Sequence, residues 1–289
     1  MDRKAVARET MAIMKQGYYV VSGGKKVEIK EELEHSVTAS RLIAPKEGQK
    51  LLEVYETGYG KGASGDGEGD FSTKTEWKSR VENLSTVDAI FKLVQEGKKN
   101  IGVLNFASAK NPGGGFLNGA MAQEESLAAS SILYETLVAH EEYYRVNRAN
   151  SSMMYTDYGI YSPDVVFFRD GRFALVEEPV KASVLTLPAV NMGQVILKGE
   201  DVGQAEQVMF RRMKLALAIF ADQGVKNLVL GAYGCGVFRN EPRKVAMWWK
   251  ELLDGEMGSL FDSVFYAVLD RSRNQKSCIG AFEACFLEN

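Results

Sequence analysis

Histidine is almost absent from this chain: His35 and His140 are its only two in 289 residues. They are too few and too scattered for a histidine metal centre or a histidine-based triad. Cysteine is scarce as well. Cys235, Cys278 and Cys285 make an odd count without metal-ligand spacing, which argues against both a disulfide scaffold and a zinc site. No metal or cofactor is expected. No apolar run reaches the span of a membrane helix, and the opening Met1-Asp2-Arg3-Lys4 lacks the apolar core of a secretion signal. The expected compartment is the cytoplasm, or the nucleus in a eukaryotic host. Excess charge is lacking too, since a formal net charge of -3 gives no general attraction to nucleic acid or anionic lipid. Any phosphate compound is therefore bound locally.

The remaining composition, 45% hydrophobic and 25% charged, is that of an ordinary soluble protein long enough for one large domain. Val6, Met11, Ile13 and Met14 predict a helix from Arg3 to about Gln16, ended by Gly17. A hairpin of Tyr18 to Val21 with Val27 to Ile29 follows, then a short helical turn at Glu31 to His35 and a strand or edge segment at Leu51 to Tyr55. Gly58 to Asp70 carries six glycines between charges and reads as a flexible loop. Beyond a strand at Thr75 to Glu82, Ser85 or Thr86 caps a helix closed by Gly97, Ile101 to Ala107 forms a buried strand, and Gln123 opens a long helix lined by Leu127, Ile132, Leu133 and Leu137. Strands follow at Val165 to Phe168, Phe173 to Val176, Ala182 to Leu187, Asn227 to Leu230 and Val264 to Leu269, with helices at Gln204 to Ala221 and around Val245 to Trp249. Alternating helices and apolar strands predict an α/β fold whose mixed, largely parallel central sheet is covered on both faces. We read residues 1–289 as one domain, with an N-terminal helical and hairpin extension over 1–80 and a catalytic core over 81–289.

Two glycine loops stand at the ends of two buried strands. The first, Gly113-Gly114-Gly115, follows the Ile101 strand and runs on to Gln123-Glu124-Glu125; the second, Gly231-Ala232-Tyr233-Gly234-Cys235-Gly236-Val237-Phe238, follows the Asn227 strand. Three consecutive glycines let a backbone approach something closely, and concave runs of N–H groups near a helix N-terminus bind phosphates. Two such loops can grip a diphosphate from both sides. Neither carries the lysine and hydroxyl pattern of a nucleoside-triphosphate loop, and the first does not match the dinucleotide fingerprint. Phe238 is an aromatic plate for a ribose or base. Cys235, flanked by glycines and without a nearby histidine, reads as a small loop residue and not a nucleophile.

These features resemble the macrodomain fold, and specifically the bacterial-type branch of the poly(ADP-ribose) glycohydrolases. The resemblance rests on Gly113-Gly114-Gly115 with Gln123-Glu124-Glu125, supported by Leu104-Asn105-Phe106-Ala107-Ser108, Tyr161-Ser162-Pro163-Asp164, Pro188-Ala189-Val190-Asn191 and the second loop with Asn240 and Pro242. It implies a three-layer α/β/α domain that binds ADP-ribose and poly(ADP-ribose), free or on modified proteins; separately, a monomer is expected. By the same resemblance Glu125 is catalytic, Glu124 holds ribose hydroxyls and Gln123 helps fix the acidic pair. Gly113 to Gly115 and Gly231, Gly234, Cys235, Gly236, Val237 and Phe238 would bind the diphosphate, Val237 and Phe238 also packing on the distal ribose that Ser108 contacts.

The residue types agree with glycoside hydrolysis, which needs a proton for the leaving oxygen and then an activated water. Adjacent Glu124 and Glu125 project in different directions from a helix start, so the sequence predicts divided roles. A helix N-terminus favours the ionised form of Glu125, so it is expected to act as an acid mainly with substrate bound. Acids in a first helical turn are common on dipole grounds alone; the glycine loops are what favour catalysis here. Two other readings share the same pocket, a hydrolase of another ADP-ribosyl linkage and an ADP-ribose reader that does not cleave.

Overall fold

The structure is a computed structural model that describes residues 2–56, 78–271 and 278–287. The glycine-rich stretch from Gly58 to Asp70 lies outside the described residues. Helix α1 (Arg3–Gln16) ends where Gly17 takes a left-handed conformation, and a small hairpin, β1 (Tyr18–Val20) with β2 (Lys26–Glu28), follows as the alternation predicts. Then come α2 (Lys30–Ala39), β3 (Arg41–Ile43), α3 (Pro45–Glu56), β4 (Lys78–Glu82), α4 (Thr86–Gln95) and β5 (Ile101–Phe106). Three short helices, α5 (Gln123–Ser130), α6 (Leu133–Val138) and α7 (Glu141–Ala149), lead to the long hairpin β6 (Gly159–Arg169) and β7 (Leu175–Leu187). The rest is α8 (Met192–Lys198), α9 (Val202–Asp222), β8 (Asn227–Leu230), α10 (Pro242–Asp254), β9 (Ser263–Ala267) and α11 (Cys278–Phe286).

Seven strands form one sheet in the order β3-β6-β7-β5-β8-β9-β4. The pairs from β7 to β4 are parallel, and β6 is antiparallel to both of its neighbours. Both faces are buried, as the near-continuous apolar strands require. Leu104, Leu185, Leu228 and Val264 face α9 and α10, whereas Val103, Val184, Val229 and Phe265 face α4 and the α5 to α7 group. The mixed, mostly parallel sheet matches the expected architecture. Its two edge strands, β3 and β4, come from the N-terminal part of the chain.

Four local expectations are corrected. Leu51 to Tyr55 belongs to helix α3, not to a strand: Leu52 is buried while Val54 is 43% exposed, so these two do not share a face as they would in a strand. The helix opens at Pro45, a favoured first position, and packs on α9 with Gly48 against Leu215. The turn at Glu31 is a full helix, α2, with Glu31 and Glu32 in its first turn. The helix from Gln123 breaks at Ser131, which is extended and bridges to Phe167; its hydroxyl donates to Leu127 O and accepts Leu133 N, ending one helix and starting the next. Finally, Phe173 to Val176 and Ala182 to Leu187 fall largely within one strand, β7, with Pro179 in the stretch where pairing to β6 is irregular.

Candidate active site

The central strand β5 outruns its neighbour. Pairing with β8 stops at Val103, while pairing with β7 continues to Phe106. The Gln123 side chain fills the vacated ladder position: its Nε2 donates to Leu104 O at 2.8 Å and its Oε1 accepts Phe106 N at 2.8 Å. Gln123 was expected to steady the acidic pair. In the structure its side chain ties the start of α5 to the sheet and makes no hydrogen bond to either carboxyl.

The glycine turn wraps the two acids. Glu125 Oε1 accepts Gly115 N at 2.8 Å and its Oε2 accepts Ala122 N at 3.0 Å, a one-sided cap at the helix start, since Ala122 has no side-chain acceptor to return the bond. Glu124 is buried, with Oε2 accepting Ser108 N at 2.6 Å and Oε1 accepting Asn105 Nδ2 at 3.3 Å. Both carboxyls converge on Gly114, which has φ of 59°. A Cβ built there would overlap Glu125 Oε1 and stand 3.1 Å from Glu124 Oε2. The glycine is therefore required by the acids themselves. The expectation that the two side chains diverge is corrected, because Ser108 N draws one inward while Ala122 N folds the other back.

That arrangement also changes the reading of the turn as a phosphate cradle. Gly114 N donates to Asn111 O at 3.0 Å and Gly115 N to Glu125, so both amides are taken up within the protein. Ser108 likewise serves Glu124 through its backbone, while its hydroxyl accepts from Lys110 N and Asn111 N; it lines the cavity beside the acids. Removal from water pushes the Glu124 carboxyl up to about 8, an effect opposed by the Ser108 and Asn105 donors and reinforced by the Glu125 charge.

The second loop is built differently. Within it Tyr233 N donates to Gly231 O and Cys235 N to Ala232 O, and beyond it Arg239 N and Asn240 N close back on Gly236 O and Gly234 O. The amides of Gly236, Val237 and Phe238 donate to no described residue. Asn240 Nδ2 pins the loop, donating to Val190 O at 2.8 Å and Gly234 O at 3.0 Å. Phe238 packs against Tyr155, itself left-handed at φ 56°, with ring centroids 5.9 Å apart. Tyr155 was not singled out from sequence, where it sits among several tyrosines. Its segment is held by buried Arg212, which pairs with Asp157 at 2.9 Å and donates to Met154 O and Pro188 O. Burial raises the Cys235 thiol well above its ordinary range, which suits a packing role.

Both loops line one cavity of about 850 Å3, a size suited to a ligand of several rings. Glu124, Glu125, Ser108, Gln123 and Phe238 all border it, as do Gly114, Gly115, Gly234, Cys235, Gly236 and Val237. Gly113 and Gly231 stand behind this wall: Gly113 abuts Tyr134 and Ala128, and Gly231 abuts Phe106 and the Ala267 carbonyl. His140 starts α7 and its Nε2 lies 2.8 Å from Ser40 Oγ. Among the described residues, no group of three His, Cys, Asp or Glu side chains is placed to hold a metal, and no helix is long and apolar enough to cross a membrane.

A family model described as the microbial-type PARG catalytic domain matches residues 7–170. Poly(ADP-ribose) glycohydrolase from Thermomonospora curvata is 37% identical, with a TM-score of 0.88 over 98% of this chain and 99% of that one. The same enzyme bound to the inhibitor ADP-HPD aligns at 35% identity and a TM-score of 0.87 over the same shares of the two chains. Poly(ADP-ribose) glycohydrolase from Deinococcus radiodurans in complex with ADP-ribose is 38% identical, with a TM-score of 0.76 over 89% of this chain and 97% of that one. No curated protein sequence matches. With a family model over more than half its length and solved relatives aligned over nearly all of it, the chain belongs to the microbial-type poly(ADP-ribose) glycohydrolase family.

Proposed function

We propose that the protein hydrolyses the ribose-ribose O-glycosidic bonds of poly(ADP-ribose) and releases ADP-ribose, with Glu125 as acid and then base. The observation that carries the assignment is the clamp on Glu125, whose two carboxylate oxygens are fixed by Gly115 N and Ala122 N at the cavity wall. A carboxyl held this way is aimed before substrate arrives, the condition for efficient proton transfer.

In the proposed reaction Glu125 gives its proton to the leaving ribose oxygen as the glycosidic bond breaks and the remaining ribose takes on oxocarbenium character. A water then adds its oxygen to that carbon and returns a proton to Glu125. Atoms and charge balance without another reactant. Glu124 holds the hydroxyls of the reacting ribose, and the glycine turn supplies the shape that lets both acids reach it. The open amides of Gly236, Val237 and Phe238 receive the diphosphate, and Phe238 with Tyr155 forms the wall beside the distal ribose. The fold's relatives bound to ADP-ribose and ADP-HPD support a ligand of this kind.

The test pairs binding with turnover. Glu125→Gln is expected to bind ADP-ribose like wild type by calorimetry while releasing it from poly(ADP-ribose) roughly 10²–10⁴ times more slowly. Release by the variant at the wild-type rate would remove Glu125 from the chemistry. Binding without release by either protein would point instead to another ADP-ribosyl linkage or to a reader.

A further inference from the structure

Behind Glu124 the sheet interior is unexpectedly polar. Asn105 and Thr186 stand opposite one another in the β5 and β7 register, so their side chains meet on the same face, and both are fully buried. Asn105 Nδ2 donates to Glu124 Oε1 at 3.3 Å and to Thr186 Oγ1 at 3.1 Å. Its Oδ1 is buried without a partner among the described residues. An unpaired buried carbonyl is costly, and leucine would fill much the same space without that cost. The amide has one capacity that leucine lacks. By turning about χ2 it presents either NH₂ or C=O to the same two neighbours. Those neighbours are ambivalent in the matching way: the Thr186 hydroxyl donates or accepts, and Glu124 Oε1 accepts when ionised and donates when it carries the proton.

We propose that Asn105, backed by Thr186, is a positioning residue whose amide follows the proton on Glu124, turning nitrogen toward the carboxylate and oxygen toward the carboxylic acid. The proposal deepens the glycohydrolase reading and rests on Glu124 being the ribose-holding acid. Throughout, Oε2 stays on Ser108 N and Gly113 N also acts on the carboxyl, so the group keeps its place at the cavity wall while the proton is exchanged at Oε1. One end of the amide is unpaired in either orientation, which keeps the two close in energy and lets Glu124 alternate between donor and acceptor. No bond other than O–H at Oε1 changes.

Other groups face the same carboxyl. Glu125 adds a like charge from α5, while Tyr143 and Tyr144 approach from α7 with phenols that burial holds protonated. Glu135 neighbours Tyr134, whose phenol acts on Tyr144 from α6; Arg148 acts on Tyr144 as well, and Arg212 of α9 and Tyr233 act on Tyr143.

The test is a titration of the ligand-free protein, which reads the amide whether or not poly(ADP-ribose) proves to be the substrate. With carbon-13 labelling, and Glu124→Gln to assign the signal, the Glu124 carboxyl carbon is followed across pH in wild type, Asn105→Leu, Thr186→Val and Thr186→Ser. Loss of a donor to the ionised form is expected to raise the midpoint by about one pH unit in Asn105→Leu and by less in Thr186→Val. Thr186→Ser restores the wild-type midpoint. In wild type the Asn105 side-chain NH₂ signals move across that same midpoint, and the pH profile of kcat on poly(ADP-ribose) shifts with it while KM changes little. An unmoved carboxyl midpoint in folded Asn105→Leu, or Asn105 NH₂ signals indifferent to pH, overturns the proposal. Should Asn105→Leu fail to fold, Thr186→Val and the wild-type NH₂ signals decide the matter on their own.

Discussion

The two glycine loops share a sequence grammar and put it to opposite uses. In the first, the amides of Gly114 and Gly115 are consumed by Asn111 O and Glu125, and the absence of a side chain at Gly114 makes room for two carboxyls. In the second, the amides of Gly236, Val237 and Phe238, residues that line the cavity, donate to no described residue, and a Cβ at Gly236 would meet nothing within 4 Å. One loop is a mould closed around acids; the other keeps amides unpaired, where we propose the diphosphate binds. Glycine content reports that something comes close to a backbone, and only the third dimension says whether that something is the protein's own side chain or a ligand.

The sharpest way to break this contrast is to make the same substitution in both loops. Gly114→Ala places a methyl where Glu125 Oε1 lies and strains a left-handed residue, so poly(ADP-ribose) turnover is expected to fall roughly 100-fold or more. Calorimetric affinity for ADP-ribose should stay within several-fold of wild type, because the open amides are elsewhere. An active Gly114→Ala enzyme would show that the acids do not need that space.

A second test uses the acid that the first loop encloses. The Glu124 carboxyl is raised from 4.5 to about 8, so the folded protein retains a proton that the unfolded chain releases over that interval. Its contribution to stability is complete below pH 4.5, declines as pH rises and is lost above about pH 8. Glu124→Gln cannot ionise and is expected to gain on wild type by roughly 2–4 kcal/mol between pH 5 and 9, measured from urea unfolding. Parallel pH dependences for the two proteins would contradict a buried, proton-holding Glu124.

In the second loop, Phe238→Ala removes the ring that packs on Tyr155 and should weaken ADP-ribose binding about tenfold. The rate of cleavage at saturation should change less. A smaller effect is expected for Gly236→Ala, whose methyl meets no protein atom within 4 Å and leaves the amide in place: ADP-ribose binding weakens by less than for Phe238→Ala. A large loss there would mean that this loop, too, depends on glycine for more than open amides.

Much of this scaffold is legible in the residues. Gly17 ends α1, Ser85 caps α4 through Asp88 N, and the apolar runs of β5, β8 and β9 stand where periodicity places them. Failures cluster where a tertiary contact overrides a local signal. Leu51, Leu52 and Tyr55 form a stripe for α9 that a short window cannot distinguish from a strand, and Ser131 interrupts a helix because β6 offers it a partner. The site follows the same rule. Residue type and spacing point to Glu124, Glu125 and the two loops, yet the use of Ser108 and Gln123 through backbone and ladder positions leaves no mark in sequence. Asn105 does leave one, a lone amide in an apolar strand facing Thr186. Its meaning depends on which side chain waits behind it.

The Gln123 side chain, lodged in the ladder of β5, has a mechanical consequence. Acting as one borrowed rung, it couples the first turn of α5, and with it Glu124 and Glu125, directly to the central sheet. The glycine turn meets that anchored helix start through Gly115 N on Glu125, so this acid is held from the sheet and from the turn at once.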